Sequence, residues 1–176
     1  MASIKLTGDT SGEITISAPA VAGTNTITLP AETGSVLTNS TSGTILQVVQ
    51  SEINTTQNTT STSYVTSNLS ANITPSSTSS KILIMLSGGN AWTNTNGANV
   101  LVSFYRGGSA LDANPNAIIQ NTSGTNSFKS GWSASYLDSP SSTSSLTYAP
   151  YYKVSSGTGY FNEATVRVML TLFEVR

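Results

Sequence analysis

The chain has 176 residues, of which 9% are charged, for a formal net charge of −1, and it contains neither histidine nor cysteine. Those absences exclude a disulfide framework, a Cys/His zinc site, a catalytic thiol and a Ser-His-Asp triad. The near-neutral balance gives no electrostatic footprint for nucleic acid. Thirty Ser, 27 Thr and 15 Asn compete with helix backbone bonding, so an all-β fold is expected.

Residues 1–38 read as short strands separated by turns. Ile4 and Leu6 alternate with polar neighbours, Gly8 to Gly12 turns the chain, and Ile14 and Ile16 alternate again. The pattern recurs after Pro19 and Gly23 with Ile27 and Leu29, closed by Pro30 and Gly34, and Val36 and Leu37 follow. So few large apolar side chains cannot offset the entropy of ordering such a segment. It is expected to order only by pairing with other copies or docking on a larger body. Residues 1–63 hold no Phe, Tyr or Trp, and every aromatic lies beyond. Because aromatics dominate core burial, the compact domain is expected over 44–176, with 1–43 as a separate attachment or shaft segment. No apolar h-region opens the chain, so no signal peptide is read and synthesis in the cytosol is expected. The apolar run Ile82–Leu86 is far too short to span a bilayer.

In the second part the predicted strands are Ile45–Gln50, Tyr64–Ile73, Ser80–Ser87, Ala98–Arg106, Phe128–Leu137, Ser145–Val154 and Ala164–Val175. The polar stretch Asn54–Ser63 reads as an edge strand with its loop, since Thr suits strands. Asn96-Gly97 between two apolar runs is a hairpin signal, and Gly107-Gly108, Ser123-Gly124, Ser139-Pro140 and Gly157-Thr158-Gly159 supply further turns. This spacing predicts an antiparallel β-sandwich or jelly roll. The last strand is apolar on both faces, with Val166, Val168, Leu170 and Leu172 on one and Met169, Phe173 and Val175 on the other. The second set is therefore expected at a subunit interface.

Chemistry is mostly excluded. Asp112 and Asp138 lie near predicted loops, where each is as well explained as a turn residue as by a glycosidase carboxylate pair. Gly131-Trp132-Ser133-Ala134-Ser135 lacks the closing glycine of a nucleophile elbow, and no Ser stands three residues before a lysine. No catalytic residue, metal or cofactor is expected. Trp92, with Asn94 and Asn96, sits in a Gly/Asn/Thr-rich stretch read as a long hairpin tip. There it either offers a plate to a sugar, with amides for its hydroxyls, or folds inward to plug one end of the sandwich. Trp132 reads as core or interface, and Tyr151-Tyr152 straddle both faces of one strand.

Residues Ser11 to Thr38, SGEITISAPAVAGTNTITLPAETGSVLT, closely resemble a segment of tail-fibre and other virion fibre proteins of marine bacteriophages. Ile45-Leu46-Gln47-Val48-Val49, Ile73-Thr74-Pro75, Ser79-Ser80-Lys81-Ile82-Leu83 and Leu137-Asp138-Ser139-Pro140 with Tyr148 are similar to the head domain that often follows it. The resemblance implies a virion structural protein, homotrimeric, with a jelly-roll head like that of tumour necrosis factor and complement C1q. Because the N-terminal segment cannot order alone, it is expected to attach to another virion protein, with Ile14, Ile16, Ile27 and Leu29 as the anchoring side chains. The head would meet host-surface polysaccharide through Trp92, Asn94 and Asn96, and close about a three-fold axis through Met169, Phe173 and Val175. The chain starts almost directly inside the motif, which keeps open a tail fibre, a capsid spike or a decorating protein without receptor role. A glycan depolymerase is the alternative from another class.

Overall fold

The computed structural model describes residues 3–18, 20–21, 23–24, 31, 43–112, 119–122, 129–163 and 166–176. Ile27, Leu29, Val36, Leu37 and the Ser123-Gly124 turn lie outside them, as do Phe128 and Ala164 at the starts of two predicted strands. Two compact units are present, Met1–Val36 and Leu37–Arg176. No helix occurs among the described residues, and every strand pairing is antiparallel.

The first unit contains a hairpin of β1 (Ser3–Thr7) and β2 (Glu13–Ser17), the two short strands that alternation predicted, paired with Ile4 opposite Ile16 and Leu6 opposite Ile14. The turn is closed by the Gly8 N–H donating to the Gly12 carbonyl at 3.1 Å. Period-2 geometry puts all four aliphatics on one face, and each is more than half exposed. Lys5 pairs with Glu13 at 3.0 Å on the other face.

The second unit is a two-layer sandwich. One layer, the β7 sheet, runs β3 (Ile45–Ile53), β14 (Val168–Val175), β7 (Lys81–Thr93), β13 (Gly159–Asn162) and β4 (Gln57–Thr59), with β11 (Ser130–Asp138) on the other edge of β7. The other, the β12 sheet, runs β10 (Ile119–Thr122), β8 (Asn99–Arg106), β12 (Leu146–Val154) and β5 (Val65–Thr66). Beside these, β6 (Ala71–Ile73) pairs with β12 and β9 (Ser109–Ala110) with β8. The predicted Tyr64–Ile73 strand is thus two short strands on one partner, because the chain breaks between them at Ser67, whose hydroxyl donates to the Pro150 carbonyl at 2.7 Å.

The sheets face each other across one core. Ile82, Ile84, Leu86, Val168, Leu170 and Leu172 come from the β7 sheet, and Ile73, Val102, Phe104, Tyr148 and Tyr152 from the β12 sheet. Strand β14 alternates buried and half-buried residue by residue, as a pleated strand between core and surface must.

Two corrections concern turns. The strands flanking Asn96-Gly97 belong to different sheets, so this turn crosses from one layer to the other and is not a hairpin. Gly97 still takes the positive φ that the dipeptide signals, and Ala98 N–H closes the turn on the Thr95 carbonyl. Residues 88–93, read as loop, continue β7. Gly88 and Gly89 carry positive φ within the strand, and the Gly89 N–H donates to the Arg167 carbonyl at 2.6 Å. This glycine irregularity re-aims the chain, so that its end pairs with β13.

Two buried polar groups tie the layers and loops. Asp138, expected at a turn, ends β11 almost fully buried, accepting from Arg106 Nη1 and from the Tyr148 hydroxyl at 2.7 Å. Burial, then this hydrogen bond, pushes the Tyr148 hydroxyl well above its ordinary range. These bonds tie the end of β11 to β8 and β12. Glu174, the charged residue on the inward face of β14, is fully buried. It accepts from Ser76 N at 2.7 Å, Ser76 Oγ at 2.6 Å and Gln47 Nε2 at 2.6 Å.

Candidate interaction surfaces

Three surfaces bear on function. The first is the outer face of the β7 sheet. Because Val168, Leu170 and Leu172 point into the core, Met169, Thr171, Phe173 and Val175 point out. Register aligns Phe173 with Val48 on β3 and with Leu83 on β7, and Leu83 in turn with Leu137 on β11. One row across four strands is therefore wholly apolar. Met85, Ile45 and Val175 flank it, and Val48 and Leu137 are 54% and 50% exposed. The charged outward side chains on these strands stand towards their ends, Lys81 at one and Glu52 at the other, where Arg167 Nη1 pairs with Glu52 at 2.9 Å. Met169, Phe173 and Val175 share this face, as alternation predicted, but Leu83, Met85 and Leu137 widen it beyond one strand. Their contribution was hidden because which strands neighbour β14 is not a local property.

The second surface is the end of the sandwich around Trp92. Its ring is not a free plate on a loop. Trp92 lies opposite Tyr160 in the β7–β13 register, and the two rings stack at 4.1 Å with a 2° interplanar angle. Lys129 Nζ sits 4.8 Å from the Trp92 ring centroid and pairs with Glu163. The Asn94 side-chain oxygen accepts from the Thr158 N–H at 3.1 Å, so this amide pins the neighbouring loop. Asn96 is exposed at the turn. The three residues do lie within one short stretch; one face of Trp92 is taken by Tyr160 and the Asn94 oxygen by Thr158, while Trp92 stays partly exposed and both asparagines exposed. Trp132 packs against Phe161, with ring centroids 5.2 Å apart.

The third surface, which the sequence reading did not single out, is the outer face of the β12 sheet. Tyr152 enters the core, and Tyr151 turns out and stacks on Tyr105, centroids 3.9 Å apart. Tyr64 stands beside Tyr105 at 5.9 Å, and Lys153 Nζ lies 4.5 Å from the Tyr64 ring centroid. The adjacent Tyr151-Tyr152 pair was the available signal; Tyr64 and Tyr105 are distant in sequence and meet only by strand pairing.

Of the anchoring side chains, Ile14 and Ile16 lie on the exposed apolar face of the β1–β2 hairpin; Ile27 and Leu29 lie outside the described residues. Among the described residues no group of three or more His, Cys, Asp or Glu side chains gathers as a metal site. Among the described residues no helix is long and apolar enough to cross a membrane.

No family model matches the chain, and no curated protein matches it. Among solved structures it is similar to the infectious bursal disease virus VP2 subviral particle, at 12% identity and a TM-score of 0.36. That match covers 75% of this chain and 42% of the other, so the chain spans less than half the length of the protein it matches.

Proposed function

We propose that the chain is a bacteriophage virion structural protein, a short homotrimeric fibre or spike that presents a β-sandwich head to host-surface polysaccharide and acts without catalysis. The observation that carries this reading is the apolar outer face of the β7 sheet. Val48, Phe173, Leu83 and Leu137 form a continuous row with Met85, Ile45 and Val175 beside it. Soluble monomers avoid such surfaces, and a closed ring of identical chains covers them without leaving an open edge. The segment Ser11 to Thr38, with its likeness to phage fibre proteins, supplies the virion role and the attachment to another virion protein. The exposed aliphatic face of the hairpin is suited to it, because two strands alone do not make a stable fold. Weak contacts repeated on three heads raise avidity without a deep pocket.

The engagement of Trp92 by Tyr160 and of Asn94 by Thr158 favours a second reading, a capsid-decorating protein with no receptor role. Light scattering and a glycan array on the full chain separate the outcomes. The expected mass is near three times 18.2 kDa, with binding to at least one bacterial surface polysaccharide. A trimer that binds no glycan supports decoration, and a monomer at micromolar concentration overturns the fibre reading. Release of new reducing ends from a bound polysaccharide would make it a depolymerase.

A further inference from the structure

The β12 sheet carries a cluster that self-association through the β7 sheet leaves uncovered. On β8 and β12 the pleat sends Val100, Val102, Phe104, Tyr148, Tyr152 and Val154 inward, so Tyr105, Tyr151 and Lys153 face out. Tyr151 lies opposite Ser103 on one side and Thr66 on the other, and Lys153 lies opposite Leu101. The result is a contiguous ladder: Lys153 over Tyr64, Tyr64 against Tyr105, Tyr105 stacked on Tyr151. All three rings are partly exposed.

Strands β5, β6, β8, β9, β10 and β12 contain no Asp or Glu at all. Their two cations are Arg106, which is paired with Asp138, and Lys153, which makes no ion pair with a described carboxylate. Cross-strand aromatic pairs alone would account for sheet stability; they do not call for an ammonium that makes no ion pair with a described carboxylate. Phenolic rings offer both an apolar face or edge to sugar C–H groups and a hydroxyl to sugar oxygens, and a lone cation adds preference for an anion.

We propose that the Tyr64–Tyr105–Tyr151 ladder with Lys153 is a binding site for an acidic polysaccharide, its sugar rings lying against the tyrosines and a uronate carboxylate meeting the Lys153 ammonium. Burial, and then the neighbouring tyrosine, pushes the Tyr64 and Tyr105 hydroxyls above their ordinary range, and a tyrosine is protonated at neutral pH even without such a shift. The proposal rests on the attachment reading and relocates its contact from Trp92 to this sheet.

The test is calorimetric titration of the full chain with an oligogalacturonate, with neutral dextran as control. Saturable binding is expected for the uronate, weakened by salt, and none for dextran. Tyr151→Ala and Lys153→Gln should each weaken it by about tenfold or more, the scale of a lost hot spot, while Trp92→Ala leaves it unchanged. Lys153→Gln, a surface change, guards against misfolding of the tyrosine variant; both are checked by melting curves. Absence of uronate binding by the wild type, or equal binding by folded Tyr151→Ala and Lys153→Gln, overturns the site. If the glycan array then still shows a ligand, the attachment reading survives without this site; a blank array removes both.

Discussion

Replacing Glu174 by glutamine probes the carboxylate that lies fully buried on the inward face of β14. Burial by itself would raise its pKa, yet the dipoles of the Ser76, Ser80 and Gln47 side chains and the Ser76 backbone N–H hold it at about 2, against an ordinary 4.5. At about 1.4 kcal/mol per pH unit, that difference corresponds to roughly 3 kcal/mol at neutral pH. The folded-state value is depressed, so the contribution is fully present above about pH 4.5 and is lost as the pH falls towards 2. Glutamine keeps the shape but puts an amide where donors already converge from Ser76 and Gln47. Urea denaturation at pH 7 should therefore show Glu174→Gln less stable by about 3 kcal/mol. Between pH 4.5 and 2 the gap between the two proteins should shrink, and taking the difference cancels the other titrating groups. Equal stability at pH 7, or a gap independent of pH, would refute the account of Glu174 as a charged tie between β14, β3 and the loop after β6.

Gly88→Ala puts a Cβ into the Arg167 carbonyl oxygen at a positive φ. It should cost about 2–4 kcal/mol, read as a lowered urea midpoint, and an unchanged midpoint would show that the strand tolerates a side chain there. Phe173→Asp brings charges together within the apolar row if three copies meet there. At several kcal/mol per buried ion the trimer should fall to monomer or fail to fold by light scattering, and a stable trimeric variant would place the interface elsewhere. Virions made with protein lacking residues 1–38 should assemble but lack this protein on immunoblots, whereas full retention would remove the anchoring role of Ile14 and Ile16.

The features legible in the sequence are those set by neighbours one or two residues apart. Alternation of Ile4, Leu6, Ile14 and Ile16 showed the two short strands and the apolar face of each, because a pleated strand sorts its side chains by parity alone. The same parity separated Met169, Phe173 and Val175 from the core side of β14. Strand β4 falls in the polar stretch Asn54–Ser63 read as an edge strand, and it does end the β7 sheet, whereas β13 escaped detection because Gly159–Asn162 is short and starts on a glycine. Both are strands because they pair with each other, with β13 also pairing with the end of β7. The Asn96-Gly97 turn was correct as a turn and wrong as a hairpin, since a dipeptide sets local dihedrals but not which sheet receives the next strand. Trp92 looked exposed until Tyr160, 68 residues later in the numbering, arrived beside it. Glu174 could have been flagged as a charge in the inward register with Leu170 and Leu172, but its ionised state depends on Ser76 and Gln47, which no local pattern brings near. The tyrosine ladder likewise exists only because β5, β8 and β12 lie side by side. Sequence alone determined the all-β class, the faces of the strands it located and the exclusion of histidine and cysteine chemistry. Tertiary structure decided which faces adjoin, and with that which surfaces remain to bind, because pairing between distant strands depends on how the whole core closes and not on any short segment.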